Sequence, residues 1–348
     1  MFCSGNPRVV ITRLSAIGDC ILTLPVACAI RDQLPDAKIA WVTEPGAATL
    51  LRNHAAIDEL IVAPKGWLKS PREIMNVRRR LRRFGCTVAI DPQSLAKSAI
   101  ASWLSSARQR IGFAAPQGRE LSTFLNNHRM VPKREHLVDR QLELLQPLGI
   151  LEPAVRFDVA RDAEAEASIR DWLDADGFDR FAVINPGAGW DSRLWPVERY
   201  AAVAAFLGHR FGLPSLVVWA GAREQAWADS IAMNSQGHAF AARSTRLPEL
   251  ASLLRRSTLF VGSDTGPMHL AAAVGTPCVA IHGPTQPALS GPYGHGHRAV
   301  QAYYQQGTSR QRRSGSNAAM LAVFVDDVCQ ACVEVLEDNS RPRLRVAG

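Results

Sequence analysis

Short apolar runs alternate along this chain with longer segments of helical spacing, and the alternation pauses midway and then restarts. A strand covered on both faces reads as an unbroken apolar run, and two parallel strands need a crossover connection that is usually a helix. The pattern therefore predicts an α/β chain built on parallel sheets. In the first half, residues 9–12, 38–43, 60–63 and 87–91 are predicted as strands and 20–34, 94–105 and 136–148 as helices, with an arginine-rich helix before the fourth strand. Pro147, Gly149 and Pro153 punctuate the chain before the second round begins. There the predicted strands are 181–185, 215–220, 258–261 and 278–282, and the predicted helices 163–173, 197–211, 223–233, 247–255 and 269–274. The polar stretch 305–316, rich in Gly, Ser and Arg, is expected to be a flexible loop.

With 348 residues the chain exceeds the ~250–300 over which one core keeps growing, so two domains are expected. They are placed at 1–153 and 154–324, followed by a C-terminal helix and tail at 325–348, with packing back on the first domain open to it. Doubly wound sheets bind ligands beyond the carboxyl ends of their strands, and a tandem pair is expected to do so in a cleft between the halves.

Forty Lys and Arg against 32 Asp and Glu leave a net charge of +8, which suits an anionic partner. Nucleic acid is not favoured, because no recognition helix or aromatic-rich RNA motif is present. Part of the excess sits on Arg72, Arg78, Arg79, Arg80, Arg82 and Arg83, in a segment with Ile74, Val77, Leu81 and Phe84 at helical spacing. That segment reads either as a solvated helix face or as one that meets anionic lipid or an acidic glycan. The seven cysteines (Cys3, Cys20, Cys28, Cys86, Cys278, Cys329 and Cys332) are scattered without disulfide-framework spacing, which suits a reducing cytoplasm. Cys329 and Cys332 form a C-x-x-C inside a helical pattern, without the context of a redox site. Residues 1–7 lead directly into the first strand, so no signal peptide is expected, and no apolar run approaches the ~20 residues that span a bilayer. Any membrane association is expected to be peripheral.

Three loops carry residues suited to chemistry. After the first strand come Arg13, Leu14, Ser15, Ala16, Ile17, Gly18 and Asp19, and then a helix. Backbone N–H groups and the helix N-terminus would face a ligand there. Asp19, at the head of that helix, reads as a cap or as a carboxylate that accepts a proton from a substrate hydroxyl. In the second half, Asn185 to Pro196 brings Gly187 and Gly189 together with Arg193, either as a phosphate site or as a Gly/Pro-rich connection with a surface arginine. Gly262, Ser263, Asp264, Thr265 and Gly266 follow another strand and open another helix, making an anion nest to which Thr265 adds a hydroxyl. Asp264 does not suit a phosphate, and is better read as a cap or as a partner for a sugar hydroxyl. His269, in the first turn of an apolar helix, reads by itself as a structural histidine. Neither a G-x-x-x-x-G-K-[ST] loop nor a G-x-G-x-x-G after a strand is present, which argues against P-loop and ordinary dinucleotide enzymes. Asp174 and Asp176 form a D-x-D in a predicted linker, where acidic turn residues are routine, and no metal site is assigned.

In combination and in order, these three blocks, the last extended by Gly283, Pro284 and Thr285, resemble glycosyltransferase family 9, the ADP-heptose:lipopolysaccharide heptosyltransferases. The resemblance spans roughly residues 8–300. A fourth block, Asp91 to Ser98 with Gly118, Arg119 and Glu120, is similar to the type that adds the first heptose to the keto-deoxy-octulosonate (Kdo) of the inner core. In the family pattern a small residue commonly stands at Pro92 and a lysine at Arg193; the arginine keeps the charge and changes the donor geometry.

The resemblance implies a GT-B fold of two Rossmann-like domains facing a central cleft, the first for an anionic lipid-linked glycan acceptor and the second for the nucleotide sugar. It implies Asp19 as catalytic base, Ser15, Gly18, Lys97 and Arg119 at the acceptor, and Gly187, Arg193, Asp264, Thr265, Gly266 and His269 at the donor. Transfer would proceed with inversion and without an obligatory cofactor, Mg2+ being compatible but not required. A monomer on the cytoplasmic face of the inner membrane is expected. Open alternatives are a GT-B transferase for another nucleotide sugar or glycan acceptor and a nucleotide-sugar-binding protein without turnover.

Overall fold

The structure, a computed structural model, describes residues 6–340. The chain divides into two compact units, Met1–Ala160 and Arg161–Gly348, a few residues beyond the expected boundary. Residues 154–160 stay with the first unit because the Phe157 carbonyl bonds Nε2 of buried His54 (3.0 Å) and Arg156 pairs with Asp32.

The first unit runs β1 (Arg8–Thr12), α1 (Ile17–Gln33), β2 (Lys38–Thr43), α2 (Pro45–Leu51), β3 (Glu59–Val62), α3 (Pro71–Phe84), β4 (Val88–Asp91) and α4 (Ala96–Leu104). It continues with β5 (Gln109–Phe113), α5 (Ser122–Leu125), β6 (His128–Met130) and α6 (Leu137–Glu143). Its six strands are parallel in the order β3-β2-β1-β4-β5-β6. Central β1 sets Val9, Val10 and Ile11 between Ile39, Ala40 and Trp41 of β2 and Val88, Ala89 and Ile90 of β4, all buried as its apolar run requires. β5 and β6 had no such signal: both begin with half-buried or exposed polar residues, Gln109 and Arg110 in one and His128 and Arg129 in the other. In α3, Val77, Leu81 and Phe84 face the core, Ser70 caps the N-terminus, and Gly85 ends the helix in the left-handed region at φ 71°.

The second unit runs α7 (Ala163–Asp176), β7 (Ala182–Asn185), α8 (Val197–Phe211), β8 (Ser215–Val217), α9 (Gly221–Asn234), β9 (Ala239–Ala241), α10 (Leu247–Arg256) and β10 (Leu259–Ser263). It ends with α11 (Gly266–Ala273), β11 (Cys278–Ile281), α12 (Pro287–Ser290), β12 (Arg298–Val300), α13 (Ser309–Ser314), α14 (Ala318–Leu321) and α15 (Val325–Ser340). Its six strands are likewise parallel, in the order β12-β11-β10-β7-β8-β9.

Two expectations are corrected here. Asp174 and Asp176 lie in the last turn of α7 rather than in a linker, and Asp176 accepts a hydrogen bond from the Trp172 indole (2.7 Å). The stretch expected to be a flexible loop contains α13, because Thr308 and Gln311 cap each other reciprocally and Arg312 and Arg313 lie over Tyr304 and Trp190. The C-terminal helix lies in the second unit, where α15 packs on α8, β11 and β12. Its Val328, Cys332 and Val335 are buried, so the C-x-x-C serves the core, and burial pushes the Cys329 thiol up to about 11. Cys3 and the tail beyond residue 340 lie outside the described residues. No described helix is long and apolar enough to cross a membrane.

Candidate active site

In the first unit the chain leaves β1 through Arg13, whose guanidinium is held by the Pro92 carbonyl (3.2 Å) and by Oδ1 of Asp19 (2.7 Å). Asp19 is the third residue of α1, and its Oδ2 accepts the N–H of Ala16 (3.2 Å). It therefore caps the helix while its side chain stays 39% exposed. Both readings of this residue have a physical footing, because a carboxylate oxygen can accept more than one hydrogen bond. The Leu14 N–H donates to Gln93 (2.9 Å), tying the loop after β1 to the loop after β4.

Ser15 joins the same cluster: Lys97 Nζ reaches its hydroxyl (2.7 Å) and Oε1 of Glu44 (2.8 Å). The Lys97 charge is thus offset by Glu44, a residue that the sequence reading did not single out. Gly18 is buried in the first turn of α1. Arg119 is exposed, and its side chain makes no hydrogen bond or ion pair among the described residues; its backbone N–H bonds Ser94 O (3.1 Å). Beside it, Gly118 approaches β5 so closely that a Cβ would lie 2.0 Å from the Phe113 carbonyl oxygen.

Asp91, at the end of β4, is fully buried among the Ser94 N–H, Asn126 Nδ2 and the Ser98 hydroxyl. Burial outweighs these bonds and pushes its carboxyl up to about 6. A raised acid binds its proton in the folded state where the unfolded chain has lost it. Stability from this group is therefore greatest at low pH and falls as pH rises from ~4 to about 6. Asp91→Asn is expected to remove that slope and to be more stable than the parent at pH ~8 by on the order of 2–3 kcal/mol. Denaturant unfolding of both proteins across this range checks it; parallel profiles would show that Asp91 stays ionised.

The second unit gathers the remaining candidates around Asp264, which is 2% exposed between β10 and α11. His269 Nε2 lies 3.1 Å from its Oδ1, and the Ser290 hydroxyl donates to its Oδ2 (3.1 Å). Arg193 Nη1 donates to its backbone carbonyl (2.6 Å), with Nη2 3.6 Å from Oδ2. Burial alone would raise this carboxyl, but the His269 hydrogen bond and the Arg193 charge outweigh it and hold the group well below the usual carboxylate range. His269 is thus the direct partner of Asp264. His282, fully buried, bonds Thr285 through Nδ1 (3.1 Å), and burial pushes its pKa down to about 4, which keeps it neutral.

Arg193 also stacks on Trp190, its guanidinium carbon 3.8 Å from the ring centroid, while Arg313 of α13 lies 4.6 Å from the same ring. Thr265 is the N-cap of α11, with its hydroxyl near Asn185 Nδ2 (3.4 Å), so Gly266 opens a helix whose dipole favours an anion. Gly187, held by the Asn185 side chain through its carbonyl (2.9 Å), leaves room for Glu224: a Cβ there would lie 2.3 Å from Oε1. The structure brings all six predicted donor residues into one unit at the carboxyl ends of β7 and β10. Glu224, Ser290 and Arg313 join them without having been named, as does Trp190, which lies in the Asn185 to Pro196 block but was given no role; its available signal was its position three residues before Arg193.

Residues 74–319 match the family model described as glycosyltransferase family 9 (heptosyltransferase). The lipopolysaccharide heptosyltransferase 1 of Escherichia coli K12 is 29% identical over 310 residues, covering 85% of this chain and 93% of that protein. A glycosyl transferase family 9 structure from Veillonella parvula superimposes with a TM-score of 0.84 at 22% identity, over 97% of this chain and 99% of that one. The E. coli heptosyltransferase WaaC with ADP superimposes with a TM-score of 0.77 at 24% identity, over 94% and 99% of the two chains. Matched by the family model over more than half its length, and built of the two parallel-sheet units of the GT-B fold, the chain belongs to glycosyltransferase family 9, the heptosyltransferases, and is a glycosyltransferase.

Proposed function

We propose that the protein transfers heptose from ADP-heptose to a Kdo-containing inner-core lipopolysaccharide acceptor, with inversion at the anomeric carbon. The observation that carries this reading is the Arg193 guanidinium, fixed between the Asp264 carbonyl and the Trp190 ring in the same unit as the N-terminus of α11. A preformed cation and a helix N-terminus suit a diphosphate. Likeness to a lipopolysaccharide heptosyltransferase and to a structure with bound ADP supports the same assignment.

In this reading the acceptor hydroxyl attacks the anomeric carbon, its proton passes to Asp19, and the bond to the diphosphate breaks with its electrons leaving on ADP. Arg193, the Thr265 hydroxyl and the Gly266 N–H stabilise the charge on the departing ADP. Because these groups supply fixed positive potential, the step does not require a divalent ion. Asp264 orients Arg193 and His269, and its remaining lone pairs would accept from a sugar hydroxyl. Ser15, Gly18, Lys97 and Arg119 would contact the acceptor, with Arg119 the exposed cation for an acidic group.

Arg193→Ala is expected to weaken ADP by on the order of 1.5–3 kcal/mol, the range for a charge-assisted hydrogen bond, and AMP by less. Calorimetric titration of both nucleotides checks this; equal losses would move Arg193 away from the β-phosphate. A mass-detected donor screen with ADP-heptose, UDP-glucose and GDP-mannose on acidic and neutral acceptors tests the whole reading, and turnover confined to a donor other than ADP-heptose would overturn it.

A further inference from the structure

The helix α13 carries Arg310, Arg312 and Arg313, and the chain holds no acidic residue between Asp264 and Asp326. These cations therefore have no counterion near them in sequence. Both flanks of the segment are tied to loops that follow strands of the second sheet. On one side the Gln305 N–H donates to the Gly283 carbonyl (3.3 Å), and Gln301 Nε2 donates to the carbonyls of Gly283 (3.0 Å) and Thr285 (2.8 Å), just beyond β11. On the other, Asn317 Nδ2 donates to the carbonyl of Leu194 (3.0 Å), the residue after Arg193 in the loop beyond β7. Between these ties α13 packs on the short turn Asp191–Arg193.

This anchoring sets two guanidinium groups against one indole: Arg193 lies 3.8 Å from the Trp190 ring centroid and Arg313 4.6 Å from it. Arg193 is held by the Asp264 carbonyl (2.6 Å), whereas Arg313 is exposed and its side chain makes no hydrogen bond or ion pair among the described residues. The acids on these loops are engaged elsewhere. Asp191 pairs with Arg223 (3.1 Å), and the Asp264 carboxylate meets His269, Ser290 and Arg193. Two cations against one ring repel each other, so the arrangement favours an anion that touches both. A diphosphate has oxygens enough for two guanidinium groups, each a planar fork of N–H donors. Arg312 is used differently, since it donates to the Gly307 carbonyl (2.6 Å) and lies over Tyr304.

We propose that Arg313 is a second diphosphate-binding residue, which with Arg193 makes a two-arginine clamp on the nucleotide. The proposal rests on reading the second unit as the site of a nucleoside diphosphate sugar. Calorimetric titration of the full chain with ADP, AMP and adenosine tests it. R313A is expected to weaken ADP on the order of tenfold, AMP less, and adenosine by no more than about twofold. The control is R310A, which removes the same charge from the same helix; the Arg310 side chain makes no hydrogen bond, ion pair or ring contact among the described residues. ADP affinity is expected to stay within about twofold in that variant. An equal loss for adenosine would make Arg313 a cover for Trp190, and an equal loss in R310A would make the effect one of diffuse charge; either overturns the clamp. A parent that binds ADP and an R313A variant that binds it equally well overturn the clamp and leave the donor reading intact. If the parent takes UDP or GDP in place of ADP and R313A weakens that ligand, the clamp stands and the ADP assignment falls. A parent that binds no nucleoside diphosphate overturns both.

Discussion

Asp19→Asn is expected to lower kcat by ~100-fold or more, the usual cost of losing a general base, while ADP affinity stays within roughly threefold of the parent. The separation follows from chemistry and placement: Asp19 would act on the acceptor hydroxyl, and it stands in the unit that does not carry the residues proposed for the diphosphate. The substitution also breaks the ion pair with Arg13 and weakens the cap on Ala16. For a side chain 39% exposed, these losses are expected to cost no more than ~1 kcal/mol of stability. Steady-state kinetics together with a thermal melt separate the two roles. If the variant keeps more than about a tenth of the parent kcat, where base loss costs ~100-fold, Asp19 is a helix cap and nothing more.

Asp264→Ala is expected to give the largest loss of stability, ~3–5 kcal/mol, because it leaves a buried charge cluster without its anion. Arg193 would lose the carboxylate oxygen 3.6 Å from its Nη2, and His269 and Ser290 would lose the carboxylate oxygens they now contact. ADP affinity is expected to fall as well, since the guanidinium loses part of what holds it. The pH dependence has a definite sign. A carboxyl held below its ordinary value stabilises the fold above the unfolded pKa of ~3.9 and loses that contribution as pH falls through it. Acid unfolding of the second unit should therefore be less steep in Asp264→Ala than in the parent. Denaturant titrations at neutral and acidic pH check both points, and a loss below ~1 kcal/mol would mean that the cluster behaves like a surface pair.

These two aspartates show how far the sequence can be read. Asp19 was visible because an apolar run, a glycine and a helical pattern follow one another within a few residues, and that local order dictates a strand, a turn and a helix N-terminus. Its pairing with Arg13 was not visible, since the guanidinium is oriented by the Pro92 carbonyl 79 positions away. Asp264 was legible as a loop residue at a helix start, but its closing by His269, Ser290 and Arg193 was not. The resemblance put Lys97 at an anionic acceptor, and its pairing with Glu44, 53 positions away, was not legible.

Strand periodicity, turn chemistry and helix starts are local, so two rounds of parallel βα units, the loops at their strand ends and the family resemblance can be read from the order of the residues. Strand order is not local. β4 lies beside β1 rather than β3, and β10 lies between β7 and β11, so the loops that meet come from distant segments. The short β5 and β6, half-exposed and polar at their starts, owe their strand state to pairing with their neighbours. The segment carrying Arg313 is a helix partly because Trp190 gives its guanidinium a surface to lie on. Tertiary structure alone decided which carboxylates are paired, which cations stay free, and that Asp264 is buried while Asp19 remains open to solvent. Burial and pairing depend on what the strand order brings within hydrogen-bonding distance, and residues 71 apart, such as Arg193 and Asp264, carry no mark of that in their own neighbourhoods.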